Sequence, residues 1–254
     1  MIRDLARRIL RNRVFKRRLP KDFGSIPIYV STDAMLRFLR YDLRKVDCSL
    51  FDAVSRFVQP GAVVWDIGAN IGLFSLAAAV RAGKQGAVFA FEPDVWLANL
   101  LNRSRLLQGI DALAPISVLP IAICNRTGFS EFIIANRGRS NNSLPGFGDD
   151  AQSGGVRYKS VVPTYRADDL LSFSRPPDVL KIDVEGAEIE VLLSAANVLK
   201  FKPTILCEVF AEHREAVSDL LHRAGYVLFD QNNASNTPVD TAAWNTIALH
   251  SSRI

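Results

Sequence analysis

Val63-Val64-Trp65-Asp66-Ile67-Gly68-Ala69-Asn70-Ile71-Gly72 is the stretch that decides the fold. Ala62–Ile67, apolar or aromatic except at Asp66 and bounded by Gly61 and Gly68, reads as a buried strand, because a strand covered on both faces is apolar without alternation. Gly68 and Gly72 permit a tight turn and close approach of another group to the backbone. Asn70 stands where glycine would be easiest, and Asn is among the few other residues that tolerate a left-handed backbone. The apolar run Ile71–Val80 then reads as a helix, so the stretch is strand, turn, helix N-terminus.

Working outward, the same unit recurs. Residues 33–58 read as two short helices, with apolar Met35, Leu36 and Leu39, then Leu50, Phe51, Val54 and Phe57, ended by Pro60-Gly61. Ala87–Phe91 and Ile116–Ile121 read as further strands around a helix at Asp94–Leu107. Phe129–Ile134 and Lys159–Val162 read as strands flanking a polar loop, Asn136–Arg157, whose length predicts function or mobility. Val179–Ile182, Thr204–Val209, Tyr226–Phe229 and Thr246–Leu249 are the remaining strands, with helices to about Leu199 and over Ala211–Arg223. Alternating strands and helices predict an α/β, Rossmann-like, mostly parallel sheet with helices on both faces. Ligands of such sheets bind beyond the C-terminal strand ends, where the strand order reverses.

The residues at those ends are unusual. Asp-x-Gly-x-Asn-x-Gly lacks the G-x-G-x-x-G spacing of a dinucleotide site, and Asp66 would repel a pyrophosphate but attract an ammonium. S-adenosylmethionine carries an ammonium and no phosphate, so Asp66, Gly68, Ala69, Asn70 and Gly72 read as its binding turn. Glu92, 20 residues after Gly72, ends the second strand and is placed to accept from ribose hydroxyls; Pro93 reads as the start of the next helix. Ala122, just past the third strand, reads as part of the same cofactor wall. In Asp178-Val179-Leu180-Lys181-Ile182-Asp183-Val184-Glu185-Gly186-Ala187-Glu188, charged Lys181, Asp183 and Glu185 crowd one strand terminus. Such residues are rarely buried without a task. Asp183 and Glu185 are the candidate bases for an acceptor hydroxyl, with Lys181 among them, Asp183 also facing the cofactor, and His213 behind them. Glu188 and Glu190 read as plain first-turn helix acids, His222 as a helix-surface residue and His250 as a strand end. Strand-tip Glu208 with Asp183 and Glu185 offers the alternative of a chelated divalent cation; no dedicated metal site is expected.

Together these motifs resemble the FkbM family of methyltransferases, from about Val63 to Leu249. Gly128, Ser143-Leu144 and Asn245 match weaker family positions. The resemblance implies a class I methyltransferase sheet of seven strands, the last antiparallel. It implies S-adenosyl-L-methionine as cofactor and O-methylation, typically of a sugar, glycan, glycolipid or natural-product hydroxyl. The other readings are methylation of RNA or protein, a cofactor-binding module without chemistry, and a nucleotide-dependent oxidoreductase, which the missing glycine spacing disfavours.

Composition separates an arm from a body. The chain has 254 residues, 48% hydrophobic, enough for a sizeable core. Residues 1–18 carry eight basic side chains and one acid; the remaining residues carry 23 basic and 25 acidic ones. The alkaline balance therefore belongs to the arm, and a nucleic-acid-binding body is not expected. The arm has neither an apolar signal core nor a membrane-spanning run. Ile2, Leu5, Ile9 and Leu10 fall at helical spacing among arginines, which reads as a helix packed on the domain or as a peripheral contact with an anionic membrane surface. Residues 1–58 are thus expected to be arm and lead-in helices, and 59–254 the methyltransferase domain. Cys48, Cys124 and Cys207 lack pairing or zinc spacing, consistent with a cytoplasmic enzyme, including one at the inner membrane face.

Overall fold

The computed structural model of the chain describes residues 11–109, 113–148, 153–233, 235 and 237–254. The strands β3 (Val63–Ile67), β4 (Ala87–Phe91), β5 (Ile116–Leu119), β9 (Val179–Ile182), β10 (Thr204–Glu208), β11 (Tyr226–Asp230), β12 (Pro238–Val239) and β13 (Asn245–His250) form one sheet. Its order is β12-β11-β13-β10-β9-β3-β4-β5. Pairings from β5 through β10 are parallel, and β13 runs antiparallel to both β10 and β11. This is the expected seven-stranded class I arrangement with one correction: two-residue β12 adds an eighth, edge strand against β11. Among the described residues no helix is long and apolar enough to cross a membrane.

Alternate residues of the strands feed two cores. Val64, Val88, Ala90, Val179 and Leu206 pack under α1 (Cys48–Phe57), α2 (Leu73–Ala82) and α3 (Val95–Arg105). Val63, Trp65, Ile67, Phe91, Leu180 and Ile182 pack on the other face under α4 (Glu188–Leu193) and α5 (Arg214–Arg223). Fully burying each large apolar side chain is worth ~1.5–3 kcal/mol, which is why these strands read as apolar runs, interrupted at Asp66 in β3 and Lys181 in β9.

The lead-in differs from the helices expected there. β1 (Val14–Arg18) pairs antiparallel with β2 (Pro27–Ser31), so the basic end of the arm is a strand. Leu36–Leu39 and Leu43–Lys45 are short 3₁₀ turns, and only α1 is a full helix. Leu19, Phe23, Ile28, Val30, Phe38 and Phe51 share the core of α2 and α3. The stripe of Ile2, Leu5, Ile9 and Leu10 lies outside the described residues.

Between β5 and β9 the chain builds a second, three-stranded sheet, order β6-β8-β7, from β6 (Ala122–Ile123), β7 (Gly128–Ala135) and β8 (Val156–Tyr165). Phe132, Ile134, Val162 and Leu144 form its small core with Ala187. This inserted sheet stands beside the C-terminal ends of β3 and β9, the point where the strand order reverses.

Candidate active site at the strand-order reversal

A cavity of about 170 Å³ lies at that reversal. Gly68, Asn70, Glu92, Pro93, Ala122, Asp183 and Glu185 line it, all of them anticipated from sequence. Phe91, Ile121, Ile123, Phe132 and Leu144 supply apolar wall, and Arg139, Ser140 and Asn142 come from the polar loop.

The turn after β3 is held by the strand beside it. Asn70 sits at φ +52°, its backbone N–H donating to Glu92 Oε2 (2.7 Å) and its Oδ1 accepting from the Ile71 N–H (2.8 Å). Glu92 Oε1 accepts from the Asp94 N–H (2.8 Å), so one buried carboxylate joins the turn after β3 to the entry of α3. Burial pushes the Glu92 carboxyl up to about 8. Pro93 precedes the helix and does not start it; Asp94 is the cap, accepting from the Trp96 N–H (2.9 Å). Gly68 permits a close approach, but to protein: a Cβ there would fall 1.8 Å from the Asp183 carbonyl oxygen. At Gly72 it would fall 2.0 Å from Leu101 Cδ1, and neither Gly72 nor Ala69 lines the cavity.

Asp66 departs from expectation in the same way. It is fully buried, accepts from Ser75 Oγ (2.5 Å), and faces Lys181 Nζ at 3.4 Å instead of the cavity. Parallel pairing puts Asp66 and Lys181 side by side on β3 and β9. Lys181 Nζ also donates to Asp183 Oδ2 (3.1 Å). Burial works against the Lys181 charge, but Asp183, Asp66 and Glu208 hold it well above its usual range. Lys181 is therefore a buried counter-ion to three carboxylates, and it does not line the main cavity.

Two of those carboxylates, Asp183 and Glu208, line the cavity together with Glu185. Glu185 is held at φ +53°, a strained conformation for a non-glycine residue that functional sites commonly contain. Burial, then the charges of Asp183, Glu208 and Glu188, push its carboxyl up to about 9. Glu208 is pushed up to about 8, first by Asp183 and then by burial, with Lys181 opposing. Carboxyls with pKa values in this range are strong proton acceptors once ionised. Among the described residues no three His, Cys, Asp or Glu side chains are grouped closely enough to hold a metal ion.

His213 and Glu188 belong to a layer behind the site. Glu188 is fully buried, accepts from the Gly186 N–H (2.8 Å) and meets His213 Nδ1 at 3.3 Å, so it is no plain first-turn acid. His213 does not reach the cavity.

The polar loop carries a network that sequence reasoning missed. Arg139 Nε donates to Asp33 Oδ2 (2.9 Å) and Nη1 to Asp94 Oδ2 (2.5 Å), with its guanidinium 4.7 Å from the Trp96 ring centroid. Arg157 donates to both Asp33 oxygens (2.9 and 2.7 Å), and Asn142 Nδ2 to Asp94 Oδ2 (2.8 Å). Burial opposes the Asp33 charge, but the two arginines hold its carboxyl below the usual range. Asp47, the cap of α1, was also missed; it lines the cavity beside Glu208. Only its Asp-before-apolar-run spacing marked it, and that signal denotes any helix cap.

Residues 66–228 match the Methyltransferase FkbM domain. The chain is 30% identical over 156 residues to hexuronic acid methyltransferase AglP of Haloferax volcanii, covering 59% of this chain and 56% of that protein. It is 32% identical over 212 residues to the AMB antimetabolite synthetase AmbE of Pseudomonas aeruginosa, covering 66% of this chain and 10% of the synthetase. The chain thus spans little more than half of the first relative's length and a tenth of the second's. A solved structure of methyltransferase FkbM from Methylobacillus flagellatus KT aligns with a TM-score of 0.48 at 17% identity, over 79% of this chain and 50% of that one. The domain match takes in the turn after β3, the tip of β4, the charged terminus of β9 and the tip of β10, and the chain belongs to the FkbM methyltransferase family.

Proposed function

We propose that the protein transfers a methyl group from S-adenosyl-L-methionine to a hydroxyl of a sugar-type acceptor. The observation that carries this reading is one cavity at the β3/β9 reversal that combines an acid at the tip of β4, an apolar wall, and a mouth ringed by carboxylates. The donor set suits the cofactor. The Glu92 oxygens each keep a lone pair for a ribose hydroxyl beyond their backbone bonds, Phe91, Ile121 and Ile123 offer apolar surface to adenine, and Asp183 offers charge to the ammonium. When bound, the sulfonium supplies an electrophilic methyl. The name of AglP, a hexuronic acid methyltransferase, supports a sugar as acceptor.

The chain's own task is positioning and proton removal. Aligning two reactants can lower a barrier by ~7–11 kcal/mol. A neutral hydroxyl attacking carbon must lose its proton as the C–O bond forms, and an ionised Glu185, Glu208 or Asp183 at the mouth takes it. Lys181, which touches Asp66 and Asp183, opposes the rise that burial and like charge impose on the Glu185 and Glu208 carboxyls.

Calorimetry with S-adenosylhomocysteine tests the cofactor half. Binding in the micromolar range (~8 kcal/mol) is expected, and no binding would overturn the reading. Transfer of labelled methyl to a panel of sugars and glycolipid precursors tests the acceptor half. Transfer to RNA or protein but to no hydroxyl acceptor would replace it.

A further inference from the structure

The cavity mouth, where Met35, Asp47, Ser140, Glu185 and Glu208 meet, opens into an outer groove of about 860 Å³. The cofactor reading leaves this groove unused. Its features separate into an acidic inner end and a basic outer wall.

Trp244 and Asn245 stand beside the inner end. Asn245 pairs in register with Glu208 across β13 and β10, and the Trp244 carbonyl accepts from the Val209 N–H (2.8 Å). The indole is braced by Phe210, with ring centroids 5.1 Å apart, yet remains 39% exposed. The Asn245 side-chain amide has no partner among the described residues. A fixed, half-exposed aromatic face beside a free amide suits a sugar ring. The electron-rich π face takes the ring's polarised C–H bonds, and the amide takes its hydroxyls.

Arg37 and Lys45 form the outer wall. Their neighbours are committed: Arg44 is paired with Asp22 and with Asp52 (3.2 Å), and Arg40 Nη1 donates to the Lys45 carbonyl (2.7 Å). The Arg37 guanidinium and the Lys45 ammonium are exposed and have no partner among the described residues. Asp47, and Glu185 and Glu208 once ionised, would repel an anion at the inner end. A polar groove of this kind orients a ligand that has one neutral end and one negative end.

We propose that the groove binds an acidic sugar, with its ring on Trp244 and Asn245 and its carboxylate or phosphate held by Arg37 and Lys45. A neutral hydroxyl is thereby turned inward toward Glu185 and Glu208. This rests on the methyltransferase reading and adds the acceptor's charge to it.

The test uses the full chain with S-adenosylhomocysteine, whose binding is measured first. Methyl glucuronide, glucose 1-phosphate, methyl glucoside and inorganic phosphate are then titrated by calorimetry and saturation-transfer NMR. The glucuronide or the sugar phosphate should bind about tenfold more tightly than the glucoside. Whichever of the two is preferred identifies the anion as carboxylate or phosphate. R37A/K45A should erase the preference while leaving glucoside and S-adenosylhomocysteine binding unchanged. W244A should weaken all sugars alike, with W244F restoring them. Equal binding of charged and neutral sugars, no sugar binding, or a preference that survives R37A/K45A would overturn the proposal. So would inorganic phosphate binding as tightly as the sugar phosphate. S-adenosylhomocysteine binding alongside any of these results confines the failure to the groove, whereas its absence removes the underlying methyltransferase reading as well.

Discussion

Replacing Lys181 by methionine should cost more than any other single change to a charged residue of the site, and the geometry sets the scale. Lys181 Nζ lies 3.4 Å from Asp66 Oδ1 and 3.1 Å from Asp183 Oδ2. At an effective dielectric of about 20, a pair at such a distance has a gross attraction of ~5 kcal/mol. Most of that is offset by the desolvation of both ions, so the pair itself contributes little net stability. Removing one member is different, because it strands a charge. Asp66 has no exposed surface, and among the described residues the only other polar contact of its side chain is Ser75 Oγ. Breaking a buried pair in this way costs ~3–5 kcal/mol. For a chain of this size that is a fall in melting temperature of roughly 6–20 °C. K181M alone should show it, and D66N/K181M should recover much of it, since both ions are then gone. Lys181 also draws down the carboxyls of Glu185 and Glu208, so activity in K181M should move to more alkaline pH. Thermal denaturation of the four proteins in the cycle decides the matter. If K181M melts within ~2 °C of the parent, or the two substitutions add with a coupling below ~0.5 kcal/mol, the pair is not a buried counter-ion system and the account of Lys181 is wrong.

Three further outcomes are expected. Glu92→Gln should weaken S-adenosylhomocysteine binding by ~1.5–3 kcal/mol in calorimetry; unchanged affinity removes Glu92 from the cofactor site. Among Asp183→Asn, Glu185→Gln and Glu208→Gln, one variant should lose ~10²–10⁴-fold in turnover while keeping cofactor affinity, and near-parental turnover by all three ends the case for a carboxylate base. The folded-state carboxyls of Glu92, Glu185 and Glu208 lie above their ordinary 4.5, near 8, 9 and 8. A group raised in this way binds its proton more tightly when folded. Its stabilisation is full below pH 4.5 and is lost as pH rises to 8–9, so melting temperature should fall between pH 4.5 and about 9. E185Q and E208Q should flatten that fall, and an equally steep one in both variants contradicts it.

Strand tips were legible in the sequence because burial and chain twist impose a strong pattern. Ala87–Phe91 and Val179–Ile182 match their strands end for end, and the acids just beyond them reach the cavity as expected. Asp66 was misread for a physical reason. A carboxylate at a strand tip looks the same in sequence whether it faces a ligand or a lysine one strand away, and register alone separates the two. The strand Val14–Arg18 went unanticipated because it obtains its backbone partners from Pro27–Ser31, beyond any local window. Arg139 left no signal at all, since its partners Asp33 and Asp94 are 106 and 45 residues away.

That last network changes what the polar loop is. A loop of such length, rich in Gly, Asn and Ser, suggests a mobile lid, yet its Arg139 and Asn142 are buried and fully committed. Arg139 joins Asp33, in the lead-in segment, to Asp94, the cap of α3. Asp94 follows two residues after Glu92, whose carboxylate accepts its backbone N–H. The lead-in, the inserted sheet and the turn that would hold the cofactor are therefore connected through consecutive hydrogen bonds. Buried polar networks are costly when half satisfied and rigid when complete. Arg139 and Asn142, which line the cavity, are the satisfied part of this network, whereas the buried Arg157 Nε has no partner among the described residues. For the proposed cofactor site, affinity is thus expected to depend on residues of the lead-in segment as well as on the motif after β3.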